Sequence, residues 1–106
     1  MSPIKVALSD AIAALDRAPD DFTTLMTDGD ARLLLFAPKG EDRQAPHTQD
    51  EFYIVISGSG MFRRGDEIVD FAAGDVLFVP AGIEHGFESH SDDFKTWVIF
   101  YGAKAS

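Results

Sequence analysis

The sequence predicts an all-β domain with one short helix near its N-terminal end. Three observations carry that expectation. About eight segments of strand length, rich in Val, Ile and Phe, follow one another along the chain. Turns built on Gly, Pro and Asp punctuate them at short intervals. After residue 17 nothing reads as helix. Many short strands with regular punctuation point to a sandwich or a barrel. With 106 residues the chain fits one domain, 1–106, its strand-rich core running from about 22 to 101.

The helix is expected at about 9–17. Ser9 suits the N-cap, Asp10 suits the positive helix end, Ile12 and Leu15 give an apolar side, and Pro19 follows the end. Strands are then expected at Phe22–Thr27 and Ala31–Ala37, joined by a hairpin at Asp28-Gly29. A polar loop runs from Pro38 to Pro46. The next strand, Glu51–Ile56, ends at Ser57-Gly58-Ser59-Gly60. Met61–Arg64 and Glu67–Phe71 flank Gly65-Asp66, a second hairpin. Gly74-Asp75 opens Val76–Val79, which Pro80-Ala81-Gly82 closes. His85–Ser89 follows, and Asp92-Asp93 turns into the last strand, Phe94–Tyr101.

Phe52 to Ile56 is apolar on both faces, as is Trp97 to Tyr101. A half-exposed strand alternates. These two are therefore covered on both sides, by a partner subunit in a homodimer or as a fully internal pair.

Composition excludes several classes. Nine basic against 18 acidic residues leave a net charge of −9, which disfavours nucleic acid and anionic membrane. Zero cysteines exclude disulfides, thiolate nucleophiles and iron–sulfur clusters. No apolar run approaches the ~18–20 residues of a membrane span. The start, Met1-Ser2-Pro3-Ile4-Lys5, does not read as a signal peptide. The expectation is a soluble, cytoplasmic protein.

The chemistry-bearing residues are few. The histidines are His47, His85 and His90. His47 stands four residues before Glu51, an even spacing that puts both on one strand face together with Gln49, Tyr53 and Val55. Burying an imidazole and a carboxylate together is costly unless they pair or bind a cation. With His85, they match the two-histidine, one-carboxylate set of non-haem iron sites, which also suits zinc, manganese or nickel. A hydrogen-bonded His–Glu pair is the plainer alternative.

The spacing around these residues resembles the two signature motifs of the cupin superfamily. Glu51, six residues and Gly58 continue the first motif from His47. Gly74, five residues, Pro80-Ala81-Gly82, two residues and His85 reproduce the second. The resemblance spans about Arg32 to Tyr101. It implies a double-stranded β-helix (jelly-roll) barrel whose ligands here are His47, Glu51 and His85, around one divalent ion (Fe, Zn, Mn or Ni). Two positions depart from the pattern. Ala45 stands where the first motif has its first histidine, and Ser89 where the second has its final asparagine.

Gln49 shares the parity of Glu51 and is a further candidate ligand or hydrogen bonder to the ligands. Glu51 and Tyr53 are the candidates for catalysis, Glu51 as a general base. Phe87 shares parity with His85 and is expected in the pocket wall, while His90 is expected in an exposed loop. Of Arg63-Arg64, both face solvent or one enters the barrel mouth to hold a carboxylate. The loop from Pro38 to Pro46 is a candidate rim or lid. Two functions remain open. One is a metalloenzyme on a small molecule, of dioxygenase, isomerase or lyase type. The other is a non-catalytic small-molecule binder or sensor.

Overall fold

The computed structural model describes residues 3–40, 42 and 46–103. The elements are α1 (Leu8–Arg17), β1 (Phe22–Asp28), β2 (Ala31–Phe36), β3 (Asp50–Ser57), β4 (Ser59–Arg64), β5 (Glu67–Ala72), β6 (Val76–Val79), β7 (His85–His90) and β8 (Lys95–Tyr101). One helix and eight strands match the expected elements in kind and order. The strands form two antiparallel sheets, β1-β2-β8-β3-β6 and β5-β4-β7. The expected β-barrel architecture is therefore present.

Two local expectations fail. Ser9 lies inside the helix; the N-cap is Ala7, which has extended backbone and makes no side-chain cap. Its carbonyl accepts from the Ala11 N–H at 3.0 Å, so the helix starts earlier. In the first hairpin β1 continues through Asp28, which pairs with Ala31, and the turn is Gly29-Asp30. Among these only Gly29 takes positive φ, so Asp28 needs no left-handed conformation.

Alternation on the larger sheet builds the interior. On β3, Glu51, Tyr53 and Val55 are buried while Phe52, Ile54 and Ile56 are half-buried; on β8, Thr96, Val98 and Phe100 are buried while Trp97 and Ile99 are half-buried. Both are interior strands, with β8 between β2 and β3, and β3 between β8 and β6. Their outer faces are only partly covered. The N-terminal segment Pro3, Ile4, Lys5 and Val6 shares a shallow groove there with Ile54, Trp97 and Ile99.

Register arranges the inward side chains in rows. Arg32, Phe100, Glu51 and Val79 are successive cross-strand partners on β2, β8, β3 and β6. Leu34, Val98, Tyr53 and Leu77 form the next row. The first row carries the polar groups and the second is apolar but for a phenol. Below them Phe87 is fully buried, its ring 4.7–5.4 Å from those of Phe62, Phe71, Phe94 and Tyr53. Helix α1 packs on β1 and β2; Ala11 and Leu35 are fully buried and lie outside the barrel core. No helix among the described residues is long and apolar enough to cross a membrane.

Candidate metal centre

The three expected ligands come from three different places. His47 lies in the loop before β3, Glu51 is the second residue of β3, and His85 opens β7 on the smaller sheet. The turn between β6 and β7 joins them. The Gly82 N–H donates to the His47 carbonyl at 2.9 Å, and the Ala81 N–H donates to Asp50 Oδ1 at 2.8 Å. That turn fixes the segment carrying His47 and then directs His85 inward. Gly82 has φ +85°, a conformation that few side-chain-bearing residues adopt.

One donor atom from each of His47, Glu51 and His85 lies within 4.8 Å of the others. His85 Nε2 is 2.7 Å and His47 Nε2 3.8 Å from Glu51 Oε1. Donors bound at about 2.0–2.2 Å to one ion sit roughly 3–3.5 Å apart, so small movements suffice. His47, 35% exposed and in a loop, has room to make them.

Proton placement sharpens the fit. His85 Nδ1 lies 3.0 Å from the Ile83 carbonyl, to which it donates. In the neutral ring Nε2 then carries a lone pair. That lone pair faces a carboxylate oxygen 2.7 Å away, an arrangement that repels unless a proton or a cation stands between. His85 Nε2 and both Glu51 oxygens, all buried, lack a hydrogen-bond partner among the described residues. Buried polar groups are normally satisfied. A donor set of two imidazoles and a carboxylate fits a divalent ion.

The two histidines differ electrostatically. Burial is the largest influence on His47 and lowers its pKa; His85 and Arg32 lower it further, and the charges of Glu51 and Asp42 only partly offset this. Burial is also the largest single influence on His85 and acts downward. Its contact with Glu51, the Ile83 carbonyl, and the charges of Glu51 and Asp42 together outweigh burial and raise the pKa above 6.5.

A cavity of about 480 Å³ opens beside this group, within the usual range for small-molecule sites. Tyr53, Leu34, Phe36, Val98 and Phe100 give it apolar walls; His47 and Glu51 reach it, with Arg32 and with Asp20, Asp21 and Asp42. His85 is completely buried beside Glu51 and does not line it.

Other expectations need correction. Gln49 is buried but turned away from the ligands. Its Nε2 donates to the carbonyls of Asp30 at 2.6 Å and Gly102 at 3.0 Å, and its Oε1 accepts from Arg32 Nη2 at 3.4 Å. The chain becomes a strand only at Asp50, so parity counted from residue 47 does not apply. Phe87 is the centre of the core rather than cavity wall, because it lies below the polar row. His90 ends β7 instead of lying in a loop, its Nε2 2.7 Å from the Gly40 carbonyl. Arg63 pairs with Glu88 and Glu84, and Arg64 with Glu67 and the Phe78 carbonyl; neither lines the cavity. Among the described residues the cavity arginine is Arg32, visible in the sequence only through its even spacing from Leu34 and Phe36. Asp42 gives the expected loop a place on the rim, while Glu41 and positions 43 to 45, including Ala45 at the missing-histidine position, lie outside the described residues.

Comparisons with known proteins agree with this architecture. An uncharacterised protein of Streptomyces coelicolor is 44% identical over 59 residues, covering 56% of this chain and 56% of that protein. An acireductone dioxygenase of Sulfurihydrogenibium is 44% identical over 50 residues, covering 43% of this chain and 28% of that protein. The matches thus span about half or less of those relatives' lengths. A cupin-2 domain-containing protein of Shewanella frigidimarina superposes with a TM-score of 0.69 at 20% identity, over 89% of this chain and 91% of that one. The family model described as Cupin domain matches residues 32–101, and the chain therefore belongs to the cupin family.

Proposed function

We propose that this protein is a metal-dependent enzyme acting on a small molecule held in the cavity beside His47, Glu51 and His85. The observation that carries the reading is the Nδ1–Ile83 hydrogen bond of His85, which turns Nε2 toward the Glu51 carboxylate at 2.7 Å. A bound divalent ion supplies Lewis-acid polarisation of a ligand oxygen, and iron adds redox chemistry. The protein's own groups do the rest. Ile83 fixes the ring orientation of His85, as groups beyond the ligands commonly do in metal sites. Leu34, Val98 and Phe100 exclude water from one side of the ligand. Tyr53 puts a phenol-bearing side chain in the wall, and with Glu51 it is the candidate for moving a proton. The stretch shared with an acireductone dioxygenase supports an oxidative reaction over isomerisation or elimination.

The test is elemental analysis of protein purified without an affinity tag or chelator, beside the His85→Ala variant. Near-stoichiometric metal in the first and none in the second is the expected result. No uptake after incubation with iron, zinc, manganese or nickel overturns the metal reading.

A second reading has its own support. With a proton on Nε2, His85 and Glu51 form an ion pair that satisfies both groups without metal. The barrel then serves as a small-molecule binder or sensor.

We further infer that a second copy of this chain covers the outer face of the larger sheet. Phe52 there lies 5.0 Å from Phe78 and stacks on Tyr101 at 5.4 Å, while Phe78 stays 37% and Val76 58% exposed. An apolar patch of this kind on a small domain marks an association surface.

A further inference from the structure

Among the described residues, Arg32 is the one arginine or lysine in the cavity wall. It is the second residue of β2 and points the same way as Leu34 and Phe36, into the barrel. In the row across the sheet its partner is Phe100, whose next partner is Glu51. Neighbouring strands lie about 4.8 Å apart, so the Arg32 and Glu51 backbones are roughly 10 Å apart with Phe100 between them. The guanidinium carbon sits 4.5 Å from the Phe100 ring centroid, and the His47 ring lies 5.0 Å from the same centroid. Arg32 and His47 of the candidate metal group therefore both stand against the same Phe100 ring.

The guanidinium is poorly satisfied for its position. It has five N–H donors. One of them reaches Gln49 Oε1 at a long 3.4 Å, and the buried Nε has no partner among the described residues. No described carboxylate pairs with it. By contrast Arg63 and Arg64, which face away from the cavity, both have acidic partners. The planar fork of a guanidinium matches a carboxylate in two parallel hydrogen bonds.

We propose that Arg32 anchors the carboxylate of a small organic acid, whose other end lies over Phe100 and reaches the His47–Glu51–His85 group. Only that second contact rests on the metal-dependent reading above. Asp20, Asp21 and Asp42, which line the same cavity, repel further negative charge, so the site selects an acid with one carboxylate over a polyanion. The competing explanation is structural, with Arg32 merely stacking on Phe100 and bracing Gln49.

Butyrate and its neutral counterpart butyramide separate the two. Each is titrated by NMR into the metal-free protein and into protein loaded with iron or zinc. We expect butyrate to bind about tenfold tighter than butyramide in the metal-free protein, the size of a charge-assisted hydrogen-bond gain. Arg32→Met should bring butyrate down to the affinity of butyramide, and Arg32→Lys should restore part of the difference. Equal affinities in the wild type overturn the proposal, as does an Arg32→Met variant that still prefers butyrate. If Arg32→Met fails to fold, Arg32→Lys decides: butyrate bound as tightly as by the wild type, with no loss of the two-pronged contact, overturns it. Failure of the metal reading shows separately, as a wild type that takes up no ion and still discriminates butyrate from butyramide.

Discussion

The N–H of Gly82 donates to the carbonyl of His47 at 2.9 Å, so the turn that aims one imidazole also holds the backbone of the other. A Cβ at Gly82 meets nothing within 4 Å, but φ is +85°. The same holds at Gly74, with φ +92°, whose N–H donates instead to Val55. Alanine at either position should cost about 1–2 kcal/mol through backbone strain alone. Only Gly82→Ala should also weaken metal binding, about tenfold, because only that turn carries His47. Urea unfolding and metal titration of both variants check this. Equal metal affinities would show that the turn does not position the ligand.

Replacing Glu51 by Gln separates the metal site from the fold. The amide nearly matches the carboxylate in shape and can donate to the bare Nε2 of His85. The metal-free variant should stay within about 1 kcal/mol of the wild type, since removal of a buried charge offsets the lost contact. Its metal content should fall below about a tenth of the wild-type value. Melting curves with chelator and elemental analysis of the same preparation measure the two quantities. A stoichiometric metal content in Glu51→Gln would exclude Glu51 as a ligand.

Much of this was legible in the sequence, and the exceptions have physical causes. Glu51 and His85 were readable because strand alternation and glycine–proline turns are local signals. The partnership of His47 was also expected, yet through a wrong route: it joins Glu51 from a loop, held there by Gly82, rather than along a strand. Gln49 has the right parity for burial, but the bend before Asp50 spends its amide on Asp30 and Gly102. The choice between Arg32 and the Arg63-Arg64 pair was not local at all. It depends on Glu88, on β7 beside β4, and on Glu84 in the turn just before β7, which draw Arg63 outward.

The outer face of the larger sheet gives a prediction about assembly. Phe78 sits on the edge strand β6, 37% exposed and against Phe52. Light scattering should give the wild type twice the chain mass of 11.6 kDa. Phe78→Asp should give the monomer mass, because a buried carboxylate in an apolar interface costs several kcal/mol. A wild type that remains monomeric at high micromolar concentration would remove the proposed interface while leaving the site untouched.

The opposed histidines make stability and metal uptake depend on pH in different ways. His47 has its pKa lowered below 6.5 by burial, so in the metal-free protein the unfolded state binds more protons between the two values and stability rises with pH there. His85 has its pKa raised above 6.5, despite burial, by Glu51, the Ile83 carbonyl and Asp42. Its contribution is complete below 6.5 and is lost as pH climbs through the folded value. The histidine contributions to metal-free stability should therefore pass through a maximum near pH 6.5. Binding an ion requires both Nε2 atoms to be bare, and above pH 6.5 only His85 still carries a proton to lose. Metal affinity should then increase with pH by about one proton per ion, up to the folded pKa of His85, and level off beyond it. Calorimetric titration in two buffers of different ionisation enthalpy counts that proton directly. A release of two protons per ion at pH 7 would mean that His47 is charged there and that burial does not dominate its ionisation.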